Sequence, residues 1–167
     1  MSVPKNPFPR LSARPAARPD WHHAVVTGSA GHWSSEQLQR IETAVELEIS
    51  VRRTDGAMGR WTPVWVVRAG EDVFVRTWHR RETGWFGRAV ASGRARVRVT
   101  GLETDVTVVD LGLSAGHHGV TAEQLNGVLL DEVDAAYRAK YGAHGDASVA
   151  GMVSARARVT TLRLDRR

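Results

Sequence analysis

The 167-residue sequence has no cysteine and, beyond its first 20 residues, a single proline, Pro63. Without cysteine there is no disulfide framework, thiolate zinc site, iron–sulfur cluster or cysteine nucleophile. That composition fits a reducing cytoplasm. No apolar run approaches the roughly 20 residues that span a bilayer, so no membrane partner is expected. The sequence has no Gly-x-Ser-x-Gly elbow and no phosphate-binding P-loop. The seven histidines include the adjacent pairs His22-His23 and His117-His118, but no His-x-x-x-His helical pair. Neighbours on a strand point to opposite faces, so these pairs do not read as ligands and no metal site is expected.

Charge of one sign is scarce on the body of the chain. The net charge is +5. Lys5, Arg10, Arg14 and Arg18 against Asp20 place much of it in residues 1–20, and the remainder is nearly balanced. Nucleic-acid domains carry their basic stripe on the fold itself, so nucleic acid is not the expected partner. Five of the six prolines also lie in residues 1–20. That segment reads as a proline-rich basic arm, without the roughly 7–15-residue apolar stretch of a secretory signal. Residues 21–167 read as one domain.

What is present is a pattern of short strands. Ser34 and Gln37 have capping-box spacing, and Leu38, Ile41 and Val45 repeat on one helix face. From Val45 the period becomes two, predicting a strand over Val45–Val51. Trp61–Val67 is predicted as a strand apolar on both faces, with Pro63 marking an edge or a bulge. Val73–Trp78, Arg94–Thr100, Leu102–Val109 and Ala157–Leu164 complete the predicted strands. Trp85–Ala91, a long helix capped by Thr121 and Gln124 and stopped by Gly142, and a short helix after Asp146 fill the rest. Consecutive hairpins predict an α+β fold: an antiparallel split β-barrel with peripheral helices.

Arginines dominate the candidate chemistry. Arg94, Arg96 and Arg98 share a strand face and could track phosphates. A two-residue turn at Thr100-Gly101 would set Arg98 against Glu103 and Arg96 against Asp105, which favours cross-strand ion pairs instead. The run Arg76-Thr77-Trp78-His79-Arg80-Arg81 sits where a strand meets a loop. Its guanidinium forks and hydroxyl suit an anion, with Arg52, Arg53 and Arg60 flanking; the alternative is a solvated turn. Trp61, Trp65, Trp78 and Trp85 offer stacking surfaces for a planar ring, although core packing suits Trp61 and Trp65.

The stretches Arg60–Val67, Val73–Trp78 and Gly84-Trp85-Phe86-Gly87-Arg88-Ala89 resemble the split-β-barrel flavin-binding families, the pyridoxamine-phosphate-oxidase-like proteins and the deazaflavin-dependent reductases. More closely, Thr62–Arg68, Asp105-Val106, Ala135–Gly142 and Thr160–Leu164 make the chain similar to a family of small bacterial proteins of unknown function placed near that fold. The resemblance covers about residues 33–167. It implies a homodimer binding FMN or a deazaflavin through Arg60, Thr62, Arg76, Thr77, Arg80, Arg81 and Trp85. It also implies hydride transfer to a small-molecule substrate. Tyr137, Tyr141 and His79 are the proton-donor candidates. A cofactor-free barrel that binds an apolar metabolite, with a rearrangement or cyclisation activity, is the alternative. A non-catalytic partner protein using the arm is a further one.

Overall fold

The computed structural model describes residues 31–77, 84–114 and 120–167. The arm of residues 1–20, Trp78 to Arg81 and the pair His117-His118 lie outside the described residues. So do the side chains of the expected cap, Thr121 and Gln124.

The first helix, α1 (Ser35–Thr43), starts at the predicted cap. The Ser34 amide donates to Gln37 Oε1 and the Gln37 amide donates to Ser34 Oγ, closing a reciprocal box. Leu38 and Ile41 are buried beneath it. Strand β1 (Leu47–Ser50) is shorter than predicted. Val45 is exposed, and its carbonyl accepts from the Tyr141 hydroxyl rather than from a neighbouring strand.

The largest departure from the sequence reading lies at Trp65. The predicted strand Trp61–Val67 is two strands, β2 (Thr62–Val64) and β3 (Val66–Ala69). β2 pairs with β1, whereas β3 pairs with β4 (Asp72–Val75). The hairpin β5 (Arg94–Val99) and β6 (Leu102–Asp110), with β7 (Leu162–Arg166), completes one seven-stranded sheet in the order β2-β1-β5-β6-β7-β4-β3. Every pairing is antiparallel. The two outermost strands are therefore consecutive in sequence and separated by one residue. An extended chain advances at most about 3.6 Å per residue, so the sheet's two ends cannot lie more than about 7 Å apart at this point. The sheet must curl on itself, which yields a nearly closed barrel with helices outside. Pro63 sits on β2, which pairs with β1 alone, and an edge strand is where proline is tolerated.

A second departure concerns the last strand. Ala157 and Arg158 belong to a short helix, α6 (Ala155–Arg158), and β7 begins only at Leu162. Ser154 caps α6 by accepting from the Ala157 amide at 3.2 Å. This local hydrogen bond prevails over the alternation that suggested a strand.

Hairpin β5–β6 turns at Thr100-Gly101, with Gly101 at φ 75°. Arg98 lies opposite Glu103 and Arg96 opposite Asp105, the predicted register. Arg96 pairs with Asp105 at 2.7 Å. Arg98 turns instead to Glu48 on β1 at 2.6 Å and covers the Trp61 ring, 4.2 Å from its centroid.

Two apolar layers hold the domain. One fills the barrel, where Leu47, Ile49, Val66, Val75, Val97 and Leu164 meet Phe86 of α2 (Gly84–Ser92). The other lies outside, between Val67 and Phe74 on the sheet, Leu111 of the short helix α3 (Leu111–Ser114), and α4 (Val120–Tyr141) with α5 (Asp146–Met152). Strands β3 and β4 are thus covered on both faces, which explains why Val66-Val67 and Val73-Phe74-Val75 are uninterrupted apolar runs.

Candidate functional site

At Trp65 the sheet ladder is interrupted, and buried backbone groups there need other partners. The C-terminal turns of α4 supply them. Tyr137 donates its hydroxyl to the Trp65 carbonyl at 3.3 Å. The Tyr141 hydroxyl accepts from the Val66 amide at 3.0 Å and stands 2.7 Å from the Val45 carbonyl and 3.0 Å from that of Val66. Lys140 Nζ reaches the carbonyls of Val66 at 2.8 Å and Ile41 at 3.1 Å. The Trp65 ring stacks on Tyr141, with centroids 4.1 Å apart and planes 1° from parallel. Burial pushes the Tyr141 phenol up to about 12 and the Tyr137 phenol higher still, while it pulls the Lys140 ammonium down to about 8. The two tyrosines, proton-donor candidates by sequence, are engaged in holding the break.

Arg76 follows β4 directly, and its side chain is fully buried. Its Nη1 donates to Asp134 Oδ1 on α4 at 2.5 Å and to the Met152 carbonyl at 2.9 Å. Its Nε donates to Thr161 Oγ1 at 2.8 Å. Asp134 Oδ2 accepts from Arg158 Nη1 at 2.7 Å, and that nitrogen also donates to Asp131 at 2.7 Å. Four charges thus alternate in sign from the buried centre to the surface. One atom stands outside this network: Arg76 Nη2 is buried and has no hydrogen-bond partner among the described residues.

A cavity of about 260 Å³ opens between the break and the end of β4. Among the described residues its walls are Glu46 from the α1–β1 connection, Pro63 and Val64 from β2, Trp65 at the break, Arg76 and Thr77 after β4, Trp85 from α2 and Met152 from α5. Thr77 is held through its backbone: its amide donates to Thr160 Oγ1 at 3.1 Å, and its carbonyl lies 2.6 Å from the same hydroxyl. Trp85 is half-buried and meets Phe86 edge to face at 5.6 Å.

Among the predicted site residues, the cavity brings together Arg76, Thr77 and Trp85. Arg60 is exposed, Thr62 is half-buried on β2, and neither lines the cavity. Arg80, Arg81 and His79 lie outside the described residues. Asp134 and Met152 are not among the residues the sequence points to, and Glu46, which alternates with Glu48 and reads as part of a solvated strand face, is exposed and lines the cavity. Asp134 left a trace in the sequence, because it falls on the same helical stripe as Tyr137 and Tyr141, three and seven residues ahead of them. A carboxylate on a buried stripe needs a cation.

The chain belongs to a bacterial family: residues 37–164 match the family described as an uncharacterized protein conserved in bacteria (DUF2255). A comparison with curated proteins finds no match.

Proposed function

We propose that the barrel binds a small, flat organic molecule in the cavity lined by Trp65 and Trp85. One observation carries this reading: among the described residues the cavity gathers two tryptophans with Pro63, Val64 and Met152 around a few polar residues, Glu46, Arg76 and Thr77. A largely apolar, aromatic lining with a few polar groups is the usual make-up of a small-molecule site. The volume of about 260 Å³ falls just below the roughly 300–1,000 Å³ of drug-sized sites, which suits a ring system rather than a whole dinucleotide.

The ring of FMN or a deazaflavin belongs to this class, being flat and edged with carbonyl oxygens. Trp65 and Trp85 would hold it, and when bound it supplies hydride transfer to a small-molecule substrate. Arg60 and Thr62 stand apart from the cavity lining, so the described residues do not gather a phosphate cradle there. The oxidoreductase reading therefore leans on the ring contacts and on the resemblance. A homodimer, a contribution of residues 1–20 to it and a cytoplasmic setting complete this proposal.

The test is a binding panel: FMN, a deazaflavin and phosphate-free aromatic heterocycles, titrated calorimetrically and followed by the indole N–H resonances of Trp65 and Trp85. Binding of FMN or the deazaflavin with both resonances shifted supports the redox reading. Binding of phosphate-free rings alone supports the cofactor-free barrel. Trp85→Ala is expected to weaken whichever binds by about tenfold, the worth of one aromatic contact of about 1.5 kcal/mol. If no member shifts either indole, the cavity is not a ligand site.

A further inference from the structure

We infer, on the cavity reading above, that the flat molecule held there is an organic cation, recognised by the indole rings of Trp65 and Trp85 and by the Glu46 carboxylate. This adds the sign of the ligand's charge to its shape.

Among the described lining residues, Arg76 and Glu46 carry charge. The Arg76 charge is out of a ligand's reach and already matched. Its side chain has no exposed surface, and Asp134 pairs with it at 2.5 Å. Asp134 also pairs with Arg158 at 2.7 Å, and Arg158 with Asp131 at 2.7 Å, so two cations and two carboxylates sum to zero. Glu46 differs on both counts. It is exposed and takes part in no hydrogen bond or ion pair among the described residues. The charge that a ligand meets on these described walls is therefore negative. Lys140, which holds the break at Trp65, is not a lining residue, and its Nζ is engaged by the Val66 and Ile41 carbonyls.

The aromatic walls act in the same sense. An indole carries negative potential on its faces, and tryptophan is the strongest aromatic partner for a cation. Trp65 is fixed by its parallel stack on Tyr141, 4.1 Å away, which leaves its other face and its edges for the cavity. Trp85 is half-buried and set by its edge-to-face contact with Phe86. An anion meets ring faces and a carboxylate of its own sign. A neutral ring gains stacking alone. A flat cation, such as an N-alkylated nitrogen heterocycle, gains stacking, attraction to the rings and attraction to Glu46. A neutral flavin ring still stacks on these walls, but a cation of similar shape is bound more tightly.

The test uses the full chain at neutral pH and three probes built on one bicyclic skeleton: N-methylquinolinium, a permanent cation; quinoline, which is neutral; and quinoline carboxylate, an anion. Affinities are read by calorimetry and by the Trp65 and Trp85 indole resonances. N-methylquinolinium is expected to bind at least about tenfold more tightly than quinoline, as cation–π contact with two indoles implies. Quinoline carboxylate is expected to bind most weakly. Glu46→Gln alters an exposed side chain and should leave the fold intact. It is expected to weaken the cation by about threefold, the worth of an exposed charge pair, and to leave quinoline unchanged. Trp85→Leu keeps apolar bulk and removes the indole, so it should lower the cation-to-quinoline ratio severalfold. If quinoline or its carboxylate binds as well as the cation, the inference is overturned and the cavity reading survives. A cation-to-quinoline ratio unchanged in both variants likewise overturns it. If none of the three probes shifts either indole, the cavity reading falls and takes this inference with it.

Discussion

Replacing Asp134 by asparagine is expected to be among the most damaging isosteric changes in the domain. The variant keeps the shape of the side chain and removes its charge. Arg76, whose side chain is fully buried, then has no anion to face. Asp134 accepts one charge-assisted bond from Arg76 Nη1 and one from Arg158 Nη1. At about 1.5–3 kcal/mol each, their loss sums to about 3–6 kcal/mol. This agrees with the roughly 3–5 kcal/mol for breaking a buried pair from one side. Domain stabilities of about 5–15 kcal/mol make that a large fraction of the total. For a chain of this length, each kcal/mol shifts Tm by about 2–4 °C, so a fall of about 6–20 °C is expected. Denaturant titration should show a lower midpoint with an unchanged slope. Two controls isolate the cause. Arg76→Met removes the buried cation while Asp134 keeps Arg158, so it should be milder. The double variant Arg76→Met with Asp134→Leu should recover part of the loss, because no orphan charge remains. A cost below about 1 kcal/mol for Asp134→Asn, or a double variant less stable than Asp134→Asn alone, would refute the reasoning.

Tyr141→Phe removes the hydroxyl that accepts from the Val66 amide, and leaving that buried donor unpaired is expected to cost about 1–3 kcal/mol by equilibrium unfolding. Stability should also depend on pH in the alkaline range. Lys140 in the folded protein lies near 8, below its ordinary 10.5, so between these values the unfolded chain holds more protons and stability rises with pH. This contribution is complete above 10.5 and is lost as pH falls through 8; Lys140→Met should flatten the slope. Tyr141, raised from 10.0 to about 12, acts in the opposite sense, so stability should fall from pH 10 to 12, less steeply in Tyr141→Phe. Gly59→Ala should destabilise by more than about 1 kcal/mol in thermal unfolding, because its Cβ would stand 2.7 Å from the Val51 carbonyl oxygen, a backbone atom that cannot swing away.

The readable parts of this protein are those whose causes lie within a few residues. The box of Ser34 and Gln37 and the two-residue turn at Thr100-Gly101 follow from the side chains and the backbone freedom at those positions. The turn also sets the Arg96–Asp105 pairing, since a hairpin's register is fixed by its turn. The apolar run around Val66 was legible as a strand, but its division at Trp65 was not. That break is stable only because Tyr137, Lys140 and Tyr141, more than 70 residues later, satisfy the backbone groups it frees. The role of Arg76 was hidden for the same reason. A strand-end arginine reads equally as a surface fork or a buried cation, and the choice belongs to Asp134, 58 residues away on a helix whose packing alone brings it near. Local sequence determined the strands, turns and caps. Tertiary structure decided which edges meet, which charge is buried and which donor is left over, because each of these depends on groups that become neighbours only once the barrel has closed.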